Sequence, residues 1–110
     1  MKEHIKGGAR TEVTLYILLS LYTPNHGYGI MQFIEERTHG RLVLGAGTLY
    51  GALTSLVSKE WITLVEEESS RKKKIYIITD LGRDMVKKEM ERLQDTLTLA
   101  QEITKEKELN

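Results

Sequence analysis

Cysteine is missing from this chain, and proline, tryptophan and phenylalanine occur once each. Without thiols there can be no disulfide and no thiolate metal site, which is ordinary for a protein of a reducing compartment. His4, His26 and His39 are the only histidines and fall far apart, without ligand-type spacing, so no metal is expected. Nucleophile motifs, paired acid–base constellations and phosphate loops are lacking too: Gly45-Ala46-Gly47 has none of the residues that surround such glycines in a P-loop or dinucleotide site. The chain is therefore not expected to be an enzyme or to need a cofactor. Long hydrophobic runs are absent as well. Val13 to Tyr22, after Lys2, Lys6 and Arg10, is too short to span a bilayer, and no small-residue cleavage pattern follows it. A cytoplasmic protein without a membrane partner is expected. Net charge, finally, is zero, with Lys+Arg 16 against Asp+Glu 16, so any cationic surface has to come from arrangement.

What is present is most telling at Gly45 to Leu56. Leu49, Leu53, Leu56 and Val57 recur at helical spacing, while Thr48, Gly51, Thr54, Ser55 and Ser58 share the opposite face. A helix of purely structural use carries Lys, Glu or Gln there, since these have better helix propensity than Thr, Ser or Gly. Small residues let a helix approach something closely. That something is either another helix crossing tightly or the major groove of DNA, which rewards short hydroxyl side chains with base and phosphate hydrogen bonds.

The next segment separates the two. Ile62 to Glu67 and Lys74 to Ile78 alternate, are rich in β-branched residues and flank a polar link, Glu68-Ser69-Ser70-Arg71-Lys72, which reads as a two-stranded hairpin. Arg71, Lys72, Lys73 and Lys74 put four consecutive cations at its tip and return strand. A cationic hairpin directly after a small-faced helix is the arrangement of a winged helix-turn-helix, whose helix enters the major groove while the wing reaches flanking phosphates.

The remaining segments read as helices. Arg10 to Tyr22 is apolar on nearly every side and needs cover from more than one neighbour. Thr23 to Gly27, with Pro24 and His26, is a turn, and Tyr28 to Thr38 a second helix. Gly45 is placed as the N-cap of the third helix and Thr79 as that of a fourth, running from Asp80 to about Lys107. Within it Val86, Met90, Leu93, Leu97, Ala100 and Thr104 alternate in steps of four and three, the spacing of a packed seam. A homodimer through this helix is expected. At 110 residues the chain is one compact unit, divided into residues 1–79 for DNA binding and 80–110 for dimerisation.

His26-Gly27-Tyr28-Gly29-Ile30, Gly47-Thr48-Leu49-Tyr50 with Leu53 and Leu56, Trp61-Ile62, Arg71 to Lys74 with Tyr76, and Thr79-Asp80-Leu81-Gly82 occur in an order and spacing that resemble the PadR-like transcriptional regulators, the short class with one C-terminal helix. The resemblance covers about residues 10 to 103. It implies a mainly α (α+β) winged helix-turn-helix and a homodimeric repressor on palindromic double-stranded DNA, released in many relatives by a small hydrophobic compound near the dimer interface. DNA contacts are expected from Tyr28, Thr48, Tyr50, Gly51, Thr54, Ser55, Lys59 and Arg71 to Lys74, the interface from Val86, Met90, Leu93, Leu97 and Ala100, and the effector pocket at Leu15, Leu18, Leu93 and Leu97. The chain departs from the family pattern at Gly51, where Pro is usual, at Val57 for Glu and at Glu60 for Gly, which predicts strain after the third helix. Leu93 stands where multidrug-sensing relatives carry a Trp. The competing expectation is a winged-helix adaptor that binds protein instead of DNA.

Overall fold

The computed structural model describes residues 12–68 and 73–109. The first helix, α1, is described over residues 12–20. Ile17 and Leu18 of this helix, with Leu21 just beyond it, are buried, while Leu19 and Tyr22 stay partly open.

Helix α2, Gly27–Arg37, begins and ends one residue before the span expected from periodicity. Its start is set by His26, which sequence places in a turn and which proves to be the N-cap: its Nδ1 accepts from the Gly29 N–H at 3.2 Å, satisfying a donor that the first turn leaves free. Thr38 closes the other end. Its hydroxyl donates to the Ile34 carbonyl at 2.8 Å and accepts from the Leu42 N–H at 3.0 Å, which folds the connection back toward the next helix.

Helix α3, Ala46–Ser58, starts at Gly45 as expected, with no side-chain cap bond. Leu49, Leu53 and Leu56 are its buried stripe, and shortening any of them to Ala would cost about 2–5 kcal/mol. The helix ends in a pair of reverse bonds, Trp61 N–H to the Leu56 carbonyl at 3.0 Å and Glu60 N–H to the Val57 carbonyl at 2.9 Å. This ending requires a left-handed residue just past the helix, usually glycine. Here it is Glu60, at φ +65°, which bears out the strain expected at that position.

The hairpin consists of β1, Ile62–Glu68, and β2, Lys73–Ile78, antiparallel with Ile62 opposite Ile78 and Leu64 opposite Tyr76. Val65 is an extra residue, so that Glu66 lies opposite Ile75 and the strand bends there. On its other edge β2 pairs with Asn25 through two backbone bonds of 3.0 and 2.8 Å, and the Ile78 N–H reaches the Leu21 carbonyl at 2.9 Å. The wing is thereby sewn to the turn between α1 and α2.

Helix α4, Asp80–Leu109, is capped as expected by Thr79, whose hydroxyl accepts from the Gly82 N–H at 3.0 Å. Only its first turns belong to the domain. Val86 is 2% exposed and joins Ile17, Ile30, Leu53, Ile62 and Ile78 in one core, so its expected place in a dimer seam is corrected. α4 is anchored at Thr79, and its base lies against the domain core through Val86. Residues 90–108 are exposed without exception, and the molecule measures 65 × 28 × 28 Å. No described helix is long and apolar enough to cross a membrane. The elements form a winged helix-turn-helix extended by a projecting helix.

Candidate nucleic-acid interface

The exposed side of α3 follows from its core stripe: once Leu49, Leu53 and Leu56 are inside, Thr48, Gly51, Thr54 and Ser55 must lie out, and all four are exposed. The single face expected from periodicity divides in two. Thr48, Gly51 and Ser55 border a groove toward α1 and α4, whereas Thr54 turns its hydroxyl back to the Tyr50 carbonyl at 2.9 Å. With its proton committed, that hydroxyl meets other groups as an acceptor. Gly47 and Gly51 stand where an added Cβ would meet nothing within 4 Å. Packing inside this chain therefore gives no reason for either glycine.

Tyr28, on the first turn of α2, is 62% exposed, and its hydroxyl accepts from Gln32 Nε2 at 3.3 Å. Tyr50 is 48% exposed and leans on the start of α2, where Gly27 makes room: a Cβ at residue 27 would fall 2.4 Å from the Tyr50 hydroxyl oxygen. Burial pushes the Tyr76 phenol above its ordinary value, and the nearby Tyr50 adds to the effect, which ties α3, α2 and the wing into one neighbourhood. Lys59 lies at the end of α3. Its ammonium sits 4.9 Å over the Trp61 ring, a favourable stacking, at the groove side of α3.

In the wing, Lys74 is exposed and Lys73 half-buried. The register sets Glu67 opposite Lys74 and Glu68 opposite Lys73. Arg71 and Lys72 lie outside the described residues.

The groove has a volume of about 700 Å³ and takes its walls from Leu15 and Leu18 of α1, Ala52 and Ser55 of α3, Trp61, and Met85 and Glu89 of α4. Of the expected effector pocket it brings together Leu15 and Leu18 but not Leu93 and Leu97, which stand on the projecting part of α4. Trp61 is half-buried, packed against the core and forming a wall of this groove. On α4, Met90, Leu93 and Leu97 are 59%, 44% and 51% exposed, and Ala100 is exposed too. Sequence reasoning missed Leu99 and Ile103, also large and exposed. They extend a second stripe, Met85, Glu89, Arg92, Thr96, Leu99, Ile103, offset by one residue from the first and signalled by the same four-three spacing. Among the described residues no cluster of side chains could hold a metal ion.

Comparison with known proteins agrees with this architecture. A crystal structure of a PadR-family transcriptional regulator from Eggerthella lenta superposes with a TM-score of 0.75 at 17% identity, covering 94% of this chain and 90% of that one. Bacillus subtilis PadR, solved in complex with operator DNA, superposes at 0.62 with 22% identity, over 71% of this chain and 46% of the other. An uncharacterised 37.1 kDa protein of a Streptomyces fradiae transposon is 36% identical over 66 residues, which is 60% of this chain but only 18% of that protein. The profile of the PadR-like transcriptional regulators matches residues 3–88, and on that match the chain belongs to the PadR-like family, a family of transcriptional regulators and not of enzymes.

Proposed function

We propose that this regulator is a homodimeric, sequence-specific DNA-binding repressor of the cytoplasm. The observation that carries the reading is the outer side of α3. Gly51 lowers helix stability by roughly 1 kcal/mol relative to Ala, and among the described residues nothing needs the missing side chain of Gly47 or Gly51; close approach of a duplex would. Thr48, Thr54 and Ser55 would then meet base edges and adjacent phosphates, Tyr28 and Tyr50 would put hydroxyls on phosphate oxygens, and Arg71 to Lys74, with Lys59, would supply the electrostatic part of affinity. That Bacillus subtilis PadR is known with operator DNA supports the same reading for a chain of the same fold.

Two copies would join through the exposed seam Met90, Leu93, Leu97 and Ala100. A small hydrophobic effector, the release signal of this reading, would enter at Leu15 and Leu18, with Leu93 and Leu97 reaching it only from the second copy.

The test separates phosphate binding from base reading. Changing Lys73 and Lys74 to Ala should weaken operator and random DNA together and flatten the log–log salt dependence by about 0.9 for each phosphate that is no longer neutralised, taken over both wings. Wild-type affinity and salt slope in that variant would remove the phosphate clamp and favour the protein-adaptor function.

A further inference from the structure

The end of α3 and the start of α4 meet in one small joint. Glu60 is the left-handed residue that ends α3, and its carbonyl accepts from the Thr79 hydroxyl at 2.6 Å. The same hydroxyl oxygen accepts from the Gly82 N–H at 3.0 Å, capping α4. The backbone runs in parallel, with the Thr79 N–H donating to the Trp61 carbonyl at 3.0 Å. Gly82 is pressed against that carbonyl so closely that a Cβ would lie 2.2 Å from its oxygen. One side chain thus caps the projecting helix and ties it to the residue that terminates α3, across a chain separation of 19 residues. From Met90 to residue 108 every position of α4 is exposed. This projecting stretch is a lever about 28 Å long, so that a tilt of about 10° at the base moves the far end by about 5 Å.

We propose that Thr79 and Gly82 are positioning residues for operator spacing: they fix the angle between α3 and α4, and through it the distance between the two recognition helices of a dimer. The inference rests on the DNA-binding, dimeric reading above. Half-sites on a duplex repeat about every 34–36 Å, one helical turn, so two helices held by levers of this length match one spacing only if the joint is stiff.

Thr79→Asp separates the two roles of the hydroxyl. Asp still accepts from the Gly82 N–H, and is a good N-cap, but has no proton for the Glu60 carbonyl; Thr79→Ser keeps both bonds. A duplex enriched by the wild-type protein from a randomised pool would be rebuilt with one or two base pairs added or removed between its half-sites. The wild type and Thr79→Ser should discriminate against each altered spacing by tenfold or more. Thr79→Asp should fall within about threefold across the series, with single half-site affinity, salt slope and dimer sedimentation unchanged. Unaltered discrimination in Thr79→Asp, or an equal loss on every duplex including the single half-site, overturns the proposal. Should Thr79→Asp not fold, Gly82→Ala serves instead, expected to move the preferred spacing by at least one base pair because its Cβ pushes α4 off Trp61; an unmoved preference, or failure of that variant to fold as well, counts against the joint. If the wild type enriches no duplex at all, the DNA reading itself fails, an outcome distinct from enrichment with unaltered spacing in the variants.

Discussion

Glu60 holds a conformation that L side chains other than Asn and Asp seldom adopt, and it holds it because two reverse hydrogen bonds and the Thr79 hydroxyl together determine the turn. The left-handed conformation costs a non-glycine residue about 1–2 kcal/mol, part of which glycine would return as chain entropy in the unfolded state. Glu60→Gly is therefore expected to stabilise the protein by about 0.5–1 kcal/mol, read as a rise of about 3–6 °C in the thermal midpoint; an unchanged or lower midpoint would show that the glutamate side chain contributes something the turn does not explain. This strain was legible beforehand because a Glu in place of a usual Gly is a single-position conflict between side chain and backbone. The cap made by His26 was not. An imidazole can accept from a helix N–H only in the rotamer that tertiary contacts select, and a histidine beside Pro24 and Asn25 is equally well accommodated in a plain turn.

At the level of the element, periodicity identifies the inner stripe of α3 without ambiguity, since Leu49, Leu53 and Leu56 can be buried together in only one orientation. It is silent on what flanks that stripe. Whether Ser55 and Thr54 look toward the same neighbour depends on where α1 and α4 lie, and the groove assigns them to different sides. The glycines allow a test in which two measurements move in opposite directions. Gly51→Ala places a methyl in open space and improves helix propensity, so the free protein should gain about 0.5–1 kcal/mol in denaturant unfolding. The same methyl should weaken operator binding at least severalfold by titration if, as proposed, the duplex approaches at Gly51. A gain in stability with no loss of DNA affinity would detach Gly51 from the DNA surface.

On the scale of the whole molecule, the four-three spacing runs through Met90, Leu93 and Leu97, which stand exposed on α4, but it gives no sign of where the packed base of the helix ends and its projecting part begins. Val86 obeys the same spacing and is core. Leu93→Lys with Leu97→Lys is expected to leave the domain core intact and to give monomers by sedimentation where the wild type gives dimers; a wild type that sediments as a monomer at micromolar concentration would exclude the seam. A helix that has left its domain by residue 90 has one further consequence. On the dimeric reading proposed above, pairing would be a separate equilibrium ahead of DNA binding, and the abundance of the chain would become an input to regulation. Below the concentration at which copies pair, the number of competent pairs rises with the square of the number of chains, so halving synthesis would cut operator occupancy about fourfold at low occupancy, a steeper response than any one-chain binder can give.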